Sequence, residues 1–219
     1  MFFIKRLLKR YFLLKKQKEV KMLNKLIIFT LAIAISVIPV IAQEVYKVDT
    51  KKSKVIWTGS KIGGRHEGTV KVKSGTITFN KNGYLSGAEI IVDMTTIECT
   101  DLKDKELNQK LVNHLKSADF FEVDKYPEAK FVITKPDRRL NQDYMVIGKL
   151  TIKDKVSEVK VPTTLIFDKD NKSFTTTVSL VFDRTKHDIK YGSEKFFKNL
   201  GDKAIYDEVD LLVEIHASK

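Results

Sequence analysis

The sequence predicts an all-β domain, a barrel or a sandwich of many short strands interrupted by a single helix. From Val45 onward apolar and polar residues alternate with a period of two, as strands with one buried face require. A single segment switches to helical spacing. No long Pro/Gly/Ser linker and no internal repeat divides the chain. Many strands with one helical insert fit a closed or two-sheet architecture.

The clearest strand is SFTTTVSLVFDR. Phe174, Thr176, Val178, Leu180 and Phe182 share one face, expected inside; Thr175, Thr177, Ser179 and Val181 share the other. In GTITFN, Ile77 and Phe79 oppose threonines. In EVDLLVEIHA, Val209, Leu211, Val213 and Ile215 oppose Asp210, Glu214 and His216. Further strands are expected at 45–49, 54–59, 68–73, 87–94, 129–134, 143–153 and 158–168. Lys81–Gly83 and Lys169–Asn171 carry hairpin-turn chemistry. The exception is TDLKDKELNQKLVNHLKS, where Leu107, Leu111 and Leu115 recur every four residues beside Leu102, Asn108 and Val112. Thr100 or Asp101 is its expected N-cap. A second irregular stretch, KYGSEKFFKNLGDKAI, precedes the last strand.

The formal charge of +12 is a property of the leader. Residues 1–21 hold eight Lys/Arg and one acid, whereas residues 43–219 hold 31 basic and 27 acidic residues, close to balance. With no basic stripe interleaved with aromatics, no nucleic-acid partner is expected. MLNKLIIFTLAIAISVIPVIAQ reads as a secretory signal. It has a short basic start, an apolar run from Leu26 to Ile38, and Val40 and Ala42 at the −3 and −1 positions of a cleavage site. Residues 1–42 are therefore expected to be a signal peptide, with 1–21 as an extension upstream of a start at Met22. Residues 43–219 form one domain in the periplasm or outside the cell. The run is short for a bilayer span, so no integral membrane protein is expected after cleavage. An uncleaved anchor and a basic membrane-surface helix are the alternatives. Cys99 is the sole cysteine, so no internal disulfide forms, and Glu98 and Asp101 beside it argue against a reactive thiol.

No catalytic residues are assigned. The chain lacks a G-x-S-x-G elbow, a P-loop and a G-x-G-x-x-G turn. His66, His114, His187 and His216 are scattered; His66–Glu67 has no second histidine at helical spacing, so no metal site is expected. Aromatics outside the regular strands are more telling. NHLKSADFFEVDKYPEAKF, Asn113 to Phe131, is crowded with apolar bulk for a connection, and Phe196–Phe197 lie in another. Such groups either plug a barrel end or wall an apolar pocket.

Six segments resemble the YceI-like family of secreted lipid- or polyisoprenoid-binding proteins. They are VIWTGSKIGGRHEGTVKVKSGTITF, IVDMTTIECTDL, NHLKSADFFEVDKYPEAKFVI, IGKLTIKDKVSEVKVP, DRTKHDIKYGS and FFKNLGDKAIYDEVDL. KDKVSEVKVP departs from the family's more frequent glycine before threonine-lysine-proline, at a surface turn. The resemblance implies an eight-stranded antiparallel lipocalin-like barrel, with the helical insert near one barrel end. It also implies a long isoprenoid, isoprenoid quinone or fatty chain in the lumen, no cofactor beyond that ligand, and no known catalytic set. On this reading Trp57, Phe79, Leu111, Leu115, Phe120, Phe121, Phe131 and Phe182 wall the ligand. Arg65, His66, Lys186 and Lys190 meet its head group. Burying each methylene is worth roughly 0.8 kcal/mol, so few polar anchors are needed. The competing readings are a structural barrel filled by its own side chains, and an enzyme acting on a lipid head group through His66 and His114. The oligomeric state stays open, a homodimer among the partners allowed.

Overall fold

The computed structural model describes residues 14–22 and 43–219. The expected signal and its cleavage site after Ala42 fall outside the described residues. The chain divides at residues 41 and 42. Residues 14–22 are helical, and among the described residues no helix is long and apolar enough to cross a membrane.

Residues 43–219 fold as β1 (Glu44–Val48), β2 (Lys54–Lys61), β3 (Gly64–Phe79), β4 (Leu85–Cys99), α1 (Lys105–Lys116), β5 (Glu128–Arg138), β6 (Asp143–Ile152), β7 (Lys155–Thr164), β8 (Ile166–Phe167), β9 (Ser173–Asp183) and β10 (Ile205–Ser218). The ladder is antiparallel and runs β7-β6-β5-β4-β3-β1-β10-β9-β8. Two of the wall positions are each shared by a pair of strands. β1 pairs Thr76–Phe79 of β3, β2 pairs Gly64–Val70, and both border β10. β7 pairs β6, and after Leu165 its continuation β8 pairs β9. Merged in this way, the ten strands occupy eight positions around a closed wall, which settles barrel over sandwich and matches the eight-stranded barrel that the resemblance implies.

β3 shows why it reads as two strands. Val70 and Val72 point inward, and so do Ile77 and Phe79, an even pair followed by an odd pair. A change of phase needs an extra residue, and the register against β4 shifts between Val72 and Ser74. The expected turns form as well, with Gly83 and Asn171 at positive φ. Lys153 and Asp154, both at positive φ, make the tight β6–β7 hairpin.

The helix is where expected, but its N-cap is Asp104, whose carboxylate accepts from Glu106 N (3.0 Å) and Leu107 N (2.9 Å). Asp101 cannot cap it because its carboxylate is engaged by β3. The buried stripe is also rotated. Val112 and Leu115 are buried, Leu111 is half-buried and Leu107 is exposed. Asn108 faces inward with them, donating through Nδ2 to the carbonyls of Cys99 (2.9 Å) and Leu102 (3.0 Å).

Among the described residues β7 and β9 lie side by side without a ladder. One end of this seam is tied by β8 and the other by His187, in the 3₁₀ turn Arg184–His187 that follows β9. The His187 Nδ1–H donates to the Lys155 carbonyl (3.0 Å), and its Nε2 accepts from the Ser157 hydroxyl (2.9 Å). The carbonyl can only accept, which puts a proton on Nδ1, and burial disfavours a second proton on Nε2.

Across the barrel, β5 and β6 approach closely at Gly148, where an added Cβ would stand 2.4 Å from the Phe131 ring. Gly148→Ala should therefore displace Phe131 and lower stability by about 1–3 kcal/mol. Urea denaturation measures this, and an unchanged midpoint would contradict the close approach.

Candidate ligand-binding site

The alternation of the strands converges on one interior cavity of about 130 Å³. β4 contributes Ala88, Ile90 and Val92, β9 contributes Phe174, Thr176, Val178 and Leu180, and β10 contributes Leu211, Val213 and Ile215. Each set follows the i, i+2 spacing of one strand face. The expected inward face of β9 is thus inward, with Thr177 and Ser179 exposed. Phe131 and Ile133 of β5, Val146 and Leu150 of β6, and Val161 and Thr163 of β7 complete much of the wall. Among the described residues its only polar side chains are the hydroxyls of Thr163 and Thr176, and no titratable group lines it. Thr176 Oγ1, fully buried, has no hydrogen-bond partner among the described residues.

One end of the lumen is stopped by aromatic rings. Tyr46, Phe79, Phe167 and Phe174 pack so that every pair of centroids lies 5.1–6.0 Å apart, edge-on or tilted. Contacts of this kind add about 0.5–1.5 kcal/mol each beyond the area they bury. The Tyr46 hydroxyl donates to the Asn171 carbonyl (2.7 Å), so the one polar atom of the plug is satisfied.

The other end is closed by polar anchoring under an apolar cover. The crowded segment after α1 folds back on the helix. Phe121 N and Val123 N donate to the carbonyls of Leu115 and Lys116, with Glu122 at positive φ between them. This buries Leu115, Phe120 and Val123 in the same core as the barrel interior. The His114 ring stands edge-on to Phe120 (4.9 Å) and Tyr191 (4.6 Å). Arg184, 3% exposed, holds the neighbouring loops. Its guanidinium donates to the carbonyls of Ile189, Tyr191, Ile205 and Tyr206 at 2.8–3.0 Å and faces Asp207 at 3.5 Å. Burial lowers its pKa, against the opposing pull of Asp207 and Asp183.

The residues proposed from sequence to wall the ligand are distributed unevenly over these features. Phe131 lines the cavity. Phe79 belongs to the aromatic plug. Leu115 and Phe120 are buried in the helical cover, with Leu111 and Phe121 packed against it. Phe182 lies edge-on to His187 (5.7 Å), and Trp57 is buried with its Nε1–H on the Glu98 carbonyl (3.2 Å). The head-group candidates fall in two places. Arg65 and His66 are on β3, where His66 Nδ1 meets Asp101 Oδ2 at 2.9 Å. Lys186 and Lys190 are in and after the 3₁₀ turn, with Lys190 on Asp188 (2.6 Å) and over the Phe196 ring (5.3 Å). Sequence reasoning gave no role to Arg184 and left Ala88, Ile90, Val92, Val146, Leu150 and Val161 out of the wall, although Thr176 lies on the face expected inside. Arg184 stands in the sequence only within DRTKHDIKYGS, and the lining residues of β4, β6 and β7 sit on strands whose inward face is not assigned from sequence.

Asp101 is the centre of a small polar network. Partial burial opposes its ionisation, but the Glu67 N–H, the Cys99 thiol and His66 hold its pKa down to about 2. Burial and the same carboxylate raise the pKa of Cys99, whose backbone contacts pull the other way. This agrees with the unreactive thiol expected from its acidic neighbours.

An antiparallel lipocalin-like barrel with a hydrocarbon-lined lumen is the class of protein that this fold and site define. The YceI-like domain family matches residues 46–217, and the chain belongs to that family. A comparison with curated proteins returned no match. Among solved structures, BcnA of Burkholderia cenocepacia is 26% identical with a TM-score of 0.61, over 78% of this chain and 99% of its own. A polyisoprenoid binding domain from Saccharophagus degradans, implicated in plant cell wall breakdown, is 12% identical with a TM-score of 0.56, over 79% and 97%.

His187 makes the closure sensitive to acid. It is fully buried, and burial lowers its pKa despite the Lys155 and Ile152 backbone contacts. The unfolded chain binds a proton near pH 6.5, the folded chain only at lower pH. Stability is therefore full above about pH 6.5 and falls as the pH drops from there toward the lowered folded value, by at most ~1.4 kcal/mol per pH unit. Urea midpoints at pH 7.5 and 5.0 should fall more steeply for the native chain than for His187→Gln. Equal slopes would contradict this role.

Proposed function

We propose that this protein is an exported, non-catalytic carrier that holds the apolar chain of a long amphiphile, such as a polyisoprenoid, an isoprenoid quinone or a fatty chain, in its lumen. One observation carries the reading: every barrel position turns hydrocarbon toward a shared cavity that, among the described residues, contains two hydroxyls and no titratable group. Neither hydroxyl has an acid–base partner in the lumen, which favours binding over chemistry. The polyisoprenoid-binding relative supports the ligand class, and the basic-then-apolar leader ending at Ala42 supports export to the periplasm or beyond.

The size of the lumen refines the proposal. About 130 Å³ is near the roughly 150 Å³ of a dry cavity that takes benzene, and below the roughly 300–1,000 Å³ of drug-sized pockets. A chain of tens of carbons enters only if the wall yields. The β7–β9 seam is the least costly place for that, because no ladder hydrogen bond has to break there. The aromatic plug stops the opposite end, so the polar end of the ligand belongs at the helical end, with Arg65, Lys186 and Lys190.

Ala88→Phe places a ring in the lumen, whereas Ile91→Phe adds the same ring to the outer face of the same strand. Titrating delipidated, folded protein with a fluorescent prenyl alcohol should show at least a tenfold loss for Ala88→Phe and no change for Ile91→Phe. Arg65→Ala should weaken a prenyl phosphate but not the alcohol. Equal affinity in folded Ala88→Phe and native protein would overturn the lumen as the binding site.

A further inference from the structure

His66, Cys99 and Asp101 bring an imidazole nitrogen, a thiol sulfur and a carboxylate oxygen together, with all donor atoms within 4.8 Å of one another. Asp101 Oδ2 is 2.9 Å from His66 Nδ1, and its Oδ1 is 3.1 Å from Cys99 Sγ. His66 lies on β3, Cys99 is the last residue of β4 and Asp101 follows it by two residues, so only pairing of these strands assembles the group. That pairing is tight. Gly68 faces Cys99 across the ladder, the Thr100 N–H donates to the Glu67 carbonyl (2.8 Å), and the Glu67 N–H donates to Asp101 Oδ1 (3.0 Å). A Cβ on Gly68 would lie 1.8 Å from the Glu98 carbonyl oxygen, so only glycine permits this approach.

We propose that His66, Cys99 and Asp101 form a binding site for a borderline divalent transition metal ion of the zinc(II) class, separate from the apolar lumen. Mixed N, S and O donors suit such ions, and three protein ligands leave one position for water or another donor. Zinc bond lengths in tetrahedral geometry place ligand atoms about 3.3–3.6 Å apart. The two hydrogen-bonded distances are shorter than this and run to different oxygens of Asp101, while the donor atoms as a set lie within 4.8 Å. An ion therefore has to draw the three groups to one point by shifts of up to about 1 Å, which the partly exposed His66 and Asp101 side chains allow. Access is one-sided: Cys99 is buried at 8% exposure, while the His66 and Asp101 side chains are each about one third open.

The exchange balances. The thiol proton leaves to solvent and the thiolate takes the ion. Neutral His66 presents the Nδ1 lone pair after its proton moves to Nε2, and Asp101 is already a carboxylate. A nucleophilic thiol is the rival use of the same residues. The geometry disfavours it, because Asp101 stands between sulfur and imidazole and would repel a bare thiolate. A divalent cation removes that repulsion.

The test uses the full chain after chelator treatment, with cobalt(II) as probe and zinc(II) as competitor. Trp57, the sole tryptophan, has its indole N–H on the carbonyl of Glu98, next to Cys99. Cobalt(II) should produce a near-ultraviolet thiolate charge-transfer band at one ion per chain and quench Trp57, and zinc(II) should displace it. Cys99→Ser should abolish the band, and His66→Gln and Asp101→Asn should each weaken binding at least tenfold with the circular dichroism unchanged. If Cys99→Ser fails to fold, His66→Gln, at a half-exposed position, decides alone. No band and no quenching at millimolar cobalt(II), or equal binding by native and His66→Gln protein, would overturn the site.

Discussion

Everything in this barrel depends on burying the apolar face that each strand carries. A sheet of this kind left open would expose a continuous hydrocarbon surface and two unpaired edges. Closing it removes the hydrocarbon from water at roughly 25 cal/mol per Å². Closure is reached with broken strands rather than ideal ones: β1 hands its position to β2, β7 hands over to β8, and β3 bulges to keep Val72 and Ile77 on the same side. The seam between β7 and β9 is where hydrogen bonding lapses, and a buried neutral histidine spans its end.

The two ends of the lumen obey different physics. At one end four rings satisfy each other and require nothing from water. At the other, irregular loops carry backbone carbonyls into the interior, where each would be costly without a donor. Arg184 answers this with a planar fork that reaches four of them, a geometry lysine cannot reproduce. The plugged end is therefore rigid apolar packing, whereas the helical end is built from loops pinned by one charged side chain. An entry route for a ligand is more readily made beside the second than through the first.

Much of this was legible in the chain. Residues on β9 and β10 announce their faces by simple alternation, and the helix announces itself by spacing. What stayed hidden depends on contacts far apart in sequence. Phe79 and Phe131 look equivalent, both apolar residues on an inward face. Only the stagger of the barrel sets one in the plug and the other beside the cavity. Asp101 reads as a helix cap, yet the β3–β4 pairing diverts its carboxylate to Glu67 and His66, and the cap passes to Asp104. Arg184 reads as a surface charge because its partners are carbonyls, which leave no trace in a sequence.

The central claim is that the lumen binds an apolar chain, and native mass spectrometry coupled to organic extraction tests it most directly. Protein isolated from its native cells, or incubated with excess prenyl lipid, should carry a one-to-one adduct. The extract should hold a long-chain amphiphile, and Ala88→Phe should lack the adduct. The bare polypeptide mass under both conditions, with the protein folded, would contradict the account.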